Sequence, residues 1–439
     1  MNNNAQSLLY RLRSIVFLAV LVPIATSVCH ADYLYVGDQA DNTVKRFDAE
    51  TGGFLGDFVR RGTGHIKGSR GIIFNSFGDM LVSNQNVGTE KSGELLKYDG
   101  MAGDFLGALV RHNDRDAPFA PGGIILKDGI LFVADQASVG KNNPPGRLLA
   151  YAEDGALQAD LTPNPSTEFP GASSTDEFHP RGIVLGPDGL LYVSVTHDLD
   201  PESDHQNLLP GWILRFDPAT RRFVDVFASH TGAGCAAALH RPDGLVFGPD
   251  GRLYVAAFRA DANDTDKVLI FDGAGACVDQ IELYQVGQPR AFAQGLLFGP
   301  GAALFIPITG GGPDAGSVRR YDVSTKAYSV FVAPAALGGP LGSGWYLTFG
   351  RTAADTLSYL ASPPPGGGPN LARCFCQDGT QVDVCATLDC FSGPEQDAIC
   401  GSACSGNGGL SATACFTAEP VCAVPPSASS AVFKGINNR

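Results

Sequence analysis

Five segments of this 439-residue chain repeat one pattern: SRGIIFNSFGDMLVSN, PGGIILKDGILFVAD, PRGIVLGPDGLLYVSV, PDGLVFGPDGRLYVAA and AQGLLFGPGAALFIPI. Their shared glycines, Gly71, Gly123, Gly182, Gly244 and Gly295, are spaced 52, 59, 62 and 51 residues apart. Repetition at such a period constrains the fold strongly, because each unit is one supersecondary element that buries its apolar face only against a neighbour. Within a unit the order is constant. A short apolar strand follows the glycine, then a turn such as Gly186-Pro187-Asp188-Gly189, then a second strand such as Leu190 to Ser194. Pro presets φ at the second turn position, and Gly accepts positive φ. A third strand ends in an aromatic residue and Asp (Phe47-Asp48, Tyr98-Asp99, Phe216-Asp217, Phe271-Asp272, Tyr321-Asp322), and a fourth apolar strand follows, as in Phe54-Leu55-Gly56-Asp57-Phe58. Four short strands per repeat predict the blade of an all-β propeller.

The first unit is incomplete, since Asp32 leads directly into a second-type strand, LYVGD. At the other end Gly344-Trp345-Tyr346-Leu347-Thr348-Phe349 is a first-type strand without a unit of its own. The economical expectation is that this C-terminal strand completes the N-terminal blade, closing six blades with no open sheet edge. The segment Thr356 to Ala361 leaves a seventh, partial blade open at this stage.

At 17% charged residues, 55 Gly and 29 Pro the chain is globular and turn-rich, and its length exceeds the ~250–300 residues at which a single core stops growing. A net charge of −14 argues against nucleic acid or an anionic membrane surface as the main partner, both of which need clustered Lys and Arg. Residues 1–31 read as a signal peptide, with Arg11 and Arg13 before the apolar stretch Ser14 to Ile24 and cleavage near Ala31; a lipidated Cys29 is the alternative. No later segment is long and apolar enough for a transmembrane helix. The mature chain is expected to be secreted or periplasmic, where its cysteines pair.

The pattern P-x-G-hydrophobic…G-P-D-G-x-L-Y-V…F-D-x-x-T-G-x-F resembles NHL-repeat propellers and, more loosely, the senescence marker protein/gluconolactonase superfamily, over residues 32–361. The resemblance implies a six-bladed fold whose axial mouth is the ligand site. Gluconolactonase-type enzymes carry an early E-G-P motif with Asn and Asp ligands for one divalent cation; this chain offers Ser69-Arg70-Gly71 instead. The amidating lyases of the NHL group need inner-strand histidines around zinc, and only His179 and His240 lie near inner-strand starts.

The residues before the repeat glycines, with Ser343 as the sixth, are Arg70, Gly122, Arg181, Asp243, Gln294 and Ser343. In register they form a polar tunnel mouth. Arg70, Arg181, Asp243 and Gln294 are ligand-binding candidates for an anionic or hydroxylated ligand, held by bidentate arginine contacts. Mutual pairing of Arg70 or Arg181 with Asp243 is the alternative. His179 and His240 join the candidates, and Asp243 with His240 is a weak candidate metal pair, so one divalent cation such as calcium is left open although no cofactor is assigned. Asp38, Asn84 and Asp135 end matching strands and read as structural acceptors for backbone amides. The acidic loops Asp198 to Asp204 and Asp261 to Asp266 offer oxygen donors, yet the second lacks the mid-loop Gly and terminal Glu of an EF-hand. No G-x-S-x-G, H-E-x-x-H or phosphate-binding glycine loop is present.

Residues 362–370 form a Pro/Gly linker, 371–424 a cysteine-rich module and 425–439 a flexible tail. The module holds Cys374, Cys376, Cys385, Cys390, Cys400, Cys404, Cys415 and Cys422, for which four disulfides are expected, with on the order of a hundred connectivities available. Cys235 and Cys277 are expected to pair within the fifth blade. The functional expectation is a binding or scaffold protein engaging an extracellular or periplasmic protein, peptide or glycan at the mouth. A divalent-metal-dependent lactonase or lyase is the alternative.

Overall fold

The computed structural model describes residues 32–137, 146–164, 168, 177–198, 210–360, 370–386, 400–416 and 432–433. From Tyr33 to Phe349 the described chain forms six four-stranded antiparallel sheets. Sheet I takes Tyr33–Asp38, Thr43–Asp48 and Phe54–Val59, with Gly344–Phe349 as its innermost strand. Sheets II to VI begin with the inner strands Ser69–Phe74, Pro121–Lys127, Glu177–Leu185, Leu245–Phe247 and Leu297–Phe298, each followed outward by the next three strands in chain order. This is the architecture of a β-propeller.

The turn chemistry acts as the residue types require. At the Gly186 turn, Gly189 N–H donates to Gly186 O at 3.0 Å, Leu190 N–H to Asp188 Oδ1 at 3.1 Å, and Gly189 takes the φ of 81° that only glycine adopts freely. The Asp closing the third strand in sheets I, II and IV accepts backbone amides two and three residues on: Asp48 from Glu50 and Thr51, Asp99 from Met101 and Ala102, Asp217 from Ala219 and Thr220. These turns reverse the chain into the outer strand.

Sheets pack on one another through a recurring aromatic pair. The second-strand Tyr or Phe of one sheet meets the last residue of the next sheet's inner strand edge-on: Tyr35 with Phe74, Tyr192 with Phe247, and Tyr254 with Phe298, at centroid separations of 5.2, 5.0 and 5.0 Å. Phe305 of sheet VI meets Phe349 of sheet I in the same way at 5.1 Å. The C-terminal strand also pairs in register with the N-terminal one, Leu34 opposite Phe349 and Val36 opposite Leu347.

Thr356 to Leu360 adds no strand to a further sheet. Residues 351–360 fold back across the ends of two inner strands, with Ala354 O accepting from Leu126 N and Asp355 O from Leu185 N. The cysteine-rich module has its own sheet, ordered Leu410–Phe416, Asn370–Cys376, Gln381–Ala386 and Val432–Phe433. Its first strand takes in Asn370, within the stretch whose composition predicts a linker. Val432–Phe433, expected in a flexible tail, pairs with Asp383 and Val384. Cys374 bonds Cys400, and Cys376 bonds Cys404. Cys390 and Cys422 lie outside the described residues, as do residues 1–31 and the acidic loop from Leu199 to Asp204. Of Cys385 and Cys415 only the backbone is described; it lies in the sheet.

Candidate functional site at the axis

The repeat glycines are where the inner strands touch. A Cβ on Gly182 would lie 2.4 Å from Asp243 O, and one on Gly244 2.4 Å from Gln294 O, so backbone meets backbone and no side chain fits. Around these glycines, the inner strands of sheets II, III and IV carry bulges between Ser69 and Ile72, Pro121 and Ile124, and Pro180 and Ile183. A bulge re-aims the side chain beside it. Arg70 and Arg181 both sit on one.

Arg181 Nη1 donates to Asp243 Oδ2 at 3.2 Å, both side chains being buried. Asp243 Oδ1 accepts the phenolic hydrogen of Tyr346 at 2.7 Å. Burial first, and Asp243 second, hold the Tyr346 hydroxyl well above its usual pKa, which keeps it a neutral donor. Among the described residues Arg70 has no carboxylate in contact. Its guanidinium lies over the Trp345 ring, 3.7 Å from the centroid, and its hydrogen bond is Nη1 to Ser69 O at 3.1 Å. Only 5% of Arg70 is exposed, and burial pushes its pKa down to about 10, with Tyr346 and Asp243 opposing the shift and Arg181 adding to it. The guanidinium therefore stays charged at neutral pH. Among the described residues the mouth thus holds two guanidinium groups and one carboxylate. Among the described residues Arg181 Nε and Ser69 Oγ are buried without partners, and the Gln294 side chain is buried. Below this ring lies a cavity of about 40 Å³, lined by Gly71, Ile72, Ile124, Ile183, Leu245, Leu296, Leu347 and Tyr346, with Leu357 among its walls.

The structure brings together Arg70, Arg181 and Asp243 and places Gln294 just before the inner strand of sheet VI; among the described contacts it does not bring the histidines to Asp243. His179 is buried with Nδ1 2.7 Å from Gln136 O. His240 lies among Asp264, His230, Lys267 and Asp261, where burial lowers its pKa. The donor set at the axis does not suit a divalent cation, because both oxygens of Asp243 are engaged and two arginines flank it. The second acidic loop is satisfied internally: Asp264 binds Lys267 and Ala260 N, and Asp266 accepts from Arg259 N, Phe292 N and Arg290. Asp38, Asn84 and Asp135 hold the entry loops of their own sheets, through Gly342 and Ser343 N, Lys67 N, and Phe119 and Ala120 N. Cys235 bonds Cys277, joining the turn Cys235–Ala238 to an outer strand.

Sequence reasoning missed Trp345 and Tyr346 by placing Ser343 in the column of Arg70. A Cβ on Gly295 would meet Trp345 O at 3.0 Å and the Tyr346 Cα at 3.2 Å, the relation Gly244 has to Gln294 and Gly295. Trp345 is therefore the sixth member of the arginine column, and Tyr346 stands where the other strands carry glycine. The signal was present: counting back four residues from Phe74, Phe247, Phe298 and Phe349 gives Arg70, Asp243, Gln294 and Trp345.

No protein-family model matches this chain, and no curated protein matches it. Similar solved structures include a periplasmic gluconolactonase from Pseudomonas aeruginosa, at 16% identity and a TM-score of 0.44, covering 72% of this chain and 98% of that one. A protein of unknown function from Bacteroides caccae is similar at 14% identity and a TM-score of 0.42, covering 73% and 98%.

Proposed function

We propose that this chain is an exported six-bladed propeller, closed by Gly344–Phe349, that binds a ligand presenting a carboxylate at its axial mouth. The observation that carries this reading is Arg70: a buried guanidinium that has no carboxylate partner among the described residues and lies beside a second arginine whose Nε has no hydrogen-bond partner among them. A buried charge without a counter-ion is costly, and an incoming carboxylate supplies both the charge and the hydrogen-bond acceptors the two arginines lack. Gln294 adds an amide for a neighbouring oxygen. Export is supported by the bonded cysteine pairs and by the basic-apolar character of residues 1–31. The partner class is thus narrowed to a protein, peptide, glycan or small molecule that offers a carboxylate.

Calorimetric titration with a panel comprising propanoate, galacturonate and an acidic dipeptide tests this. Saturable binding of at least one, lost in Arg70→Gln, is the expected result. Failure of every carboxylate to bind, or equal binding by Arg70→Gln, would overturn it.

A further inference from the structure

Below the arginines lies a cavity, and its walls are apolar. Beneath the ring of Arg70, Arg181, Asp243 and Tyr346 the inner strands contribute Ile72, Ile124, Ile183, Leu245, Leu296 and Leu347 to the wall of the cavity. Its floor comes from outside the repeats. Leu357, in the segment that follows the closing strand, packs against the core clusters of sheets on several sides of the axis and lines the same cavity. The segment is anchored by Ala354 O and Asp355 O on the ends of two inner strands, and Leu357 is held at φ 53°, a left-handed conformation that costs a leucine energy. Leu357 therefore forms part of the cavity wall at that end.

We infer, resting on the carboxylate-binding reading above, that the ligand is a short unbranched aliphatic carboxylic acid: its carboxylate sits between Arg70 and Arg181, and its alkyl end points down the axis toward Leu357. A volume of about 40 Å³ accepts roughly three water-sized groups, so the fit ends near a three-carbon tail. The chemistry of the walls selects against hydroxylated acids, because a hydroxyl group buried among Ile and Leu side chains finds no partner. Leu357 then determines which chain length is accepted, although it touches neither the carboxylate nor an arginine.

The test is titration of the whole protein with ethanoate, propanoate, butanoate and hexanoate, alongside glycolate and galacturonate. The expected result is a gain of roughly fourfold in affinity per added methylene up to butanoate, followed by a drop at hexanoate. In Leu357→Gly, which suits the positive φ and removes the floor, the optimum moves to a longer chain while Arg70→Gln abolishes binding of every length. A melting curve for Leu357→Gly close to that of the unaltered protein shows that the variant is folded; should it melt early, Leu357→Asn, which tolerates the same backbone, takes its place. Arg70-dependent binding that shows no length optimum, that favours galacturonate or an acidic peptide, or that Leu357→Gly leaves unshifted overturns this inference and leaves the carboxylate site standing. No carboxylate binding at all overturns both.

Discussion

The phenol of Tyr346 donates to Asp243 Oδ1 at 2.7 Å, joining residues 103 positions apart in sequence and linking the inner strand of sheet I to the segment that leads into the inner strand of sheet V. This bond is independent of the antiparallel ladder that fastens Gly344–Phe349 to Tyr33–Asp38. It adds a second tie between the last strand and the ring, made from side chains.

Removing that tie should be measurable. Tyr346→Phe is expected to lose about 2 kcal/mol of unfolding free energy, the worth of a buried hydrogen bond to a charged group. Arg181→Met, which strips the other partner from Asp243, is expected to lose about 3 kcal/mol. Combined with Asp243→Asn, either change should cost less than the sum of the single effects, because the groups form one network. Additive losses in urea unfolding would show that the three residues act separately.

Arg70 is expected to behave in the opposite sense. Its burial pushes its pKa down, so its charge weighs against folding. Arg70→Met, which keeps the side-chain volume over Trp345, should raise the melting temperature by a few degrees, on the order of 1 kcal/mol, while abolishing carboxylate binding. A lower melting temperature would show that the stacking on Trp345 outweighs the desolvation.

Gly182→Ala tests why the glycine column exists. The added Cβ would press on Asp243 O and Gly244 Cα, both backbone atoms of the neighbouring sheet. The sheets must separate, at a cost of roughly 1–3 kcal/mol. Circular dichroism melts read this directly, and an unchanged melting temperature would mean that the ring yields without strain.

The bond between Cys235 and Cys277 spans 42 residues. Cys235→Ser with Cys277→Ser should destabilise the protein by about 4 kcal/mol through the greater freedom of the unfolded chain. Thermal unfolding with and without reductant checks this, the double variant being insensitive to reductant at this site.

Acidification should weaken the fold through His230 and His240. Burial holds both below the ordinary histidine value of 6.5, so the unfolded chain takes up protons more readily than the folded one. Stability is full above pH 6.5 and falls as pH drops from there through the lower folded values. His230→Gln with His240→Gln should flatten the melting-temperature profile between pH 7.5 and 5.5.

The repeats by themselves determined the four-strand unit, the Asp-led turns and the carboxylates that hold entry loops, because each depends on residues a few positions apart or on a spacing that recurs. The glycine column was legible for the same reason. Which groups meet at the axis was decided only by tertiary structure. Arg181 takes Asp243 and leaves Arg70 to Trp345, contacts made between separate sheets. The last strand's register put Tyr346 rather than a glycine at the centre, and its capping loop placed Leu357 in a channel built by other sheets. These contacts join residues tens to hundreds of positions apart, where sequence spacing carries no record of distance.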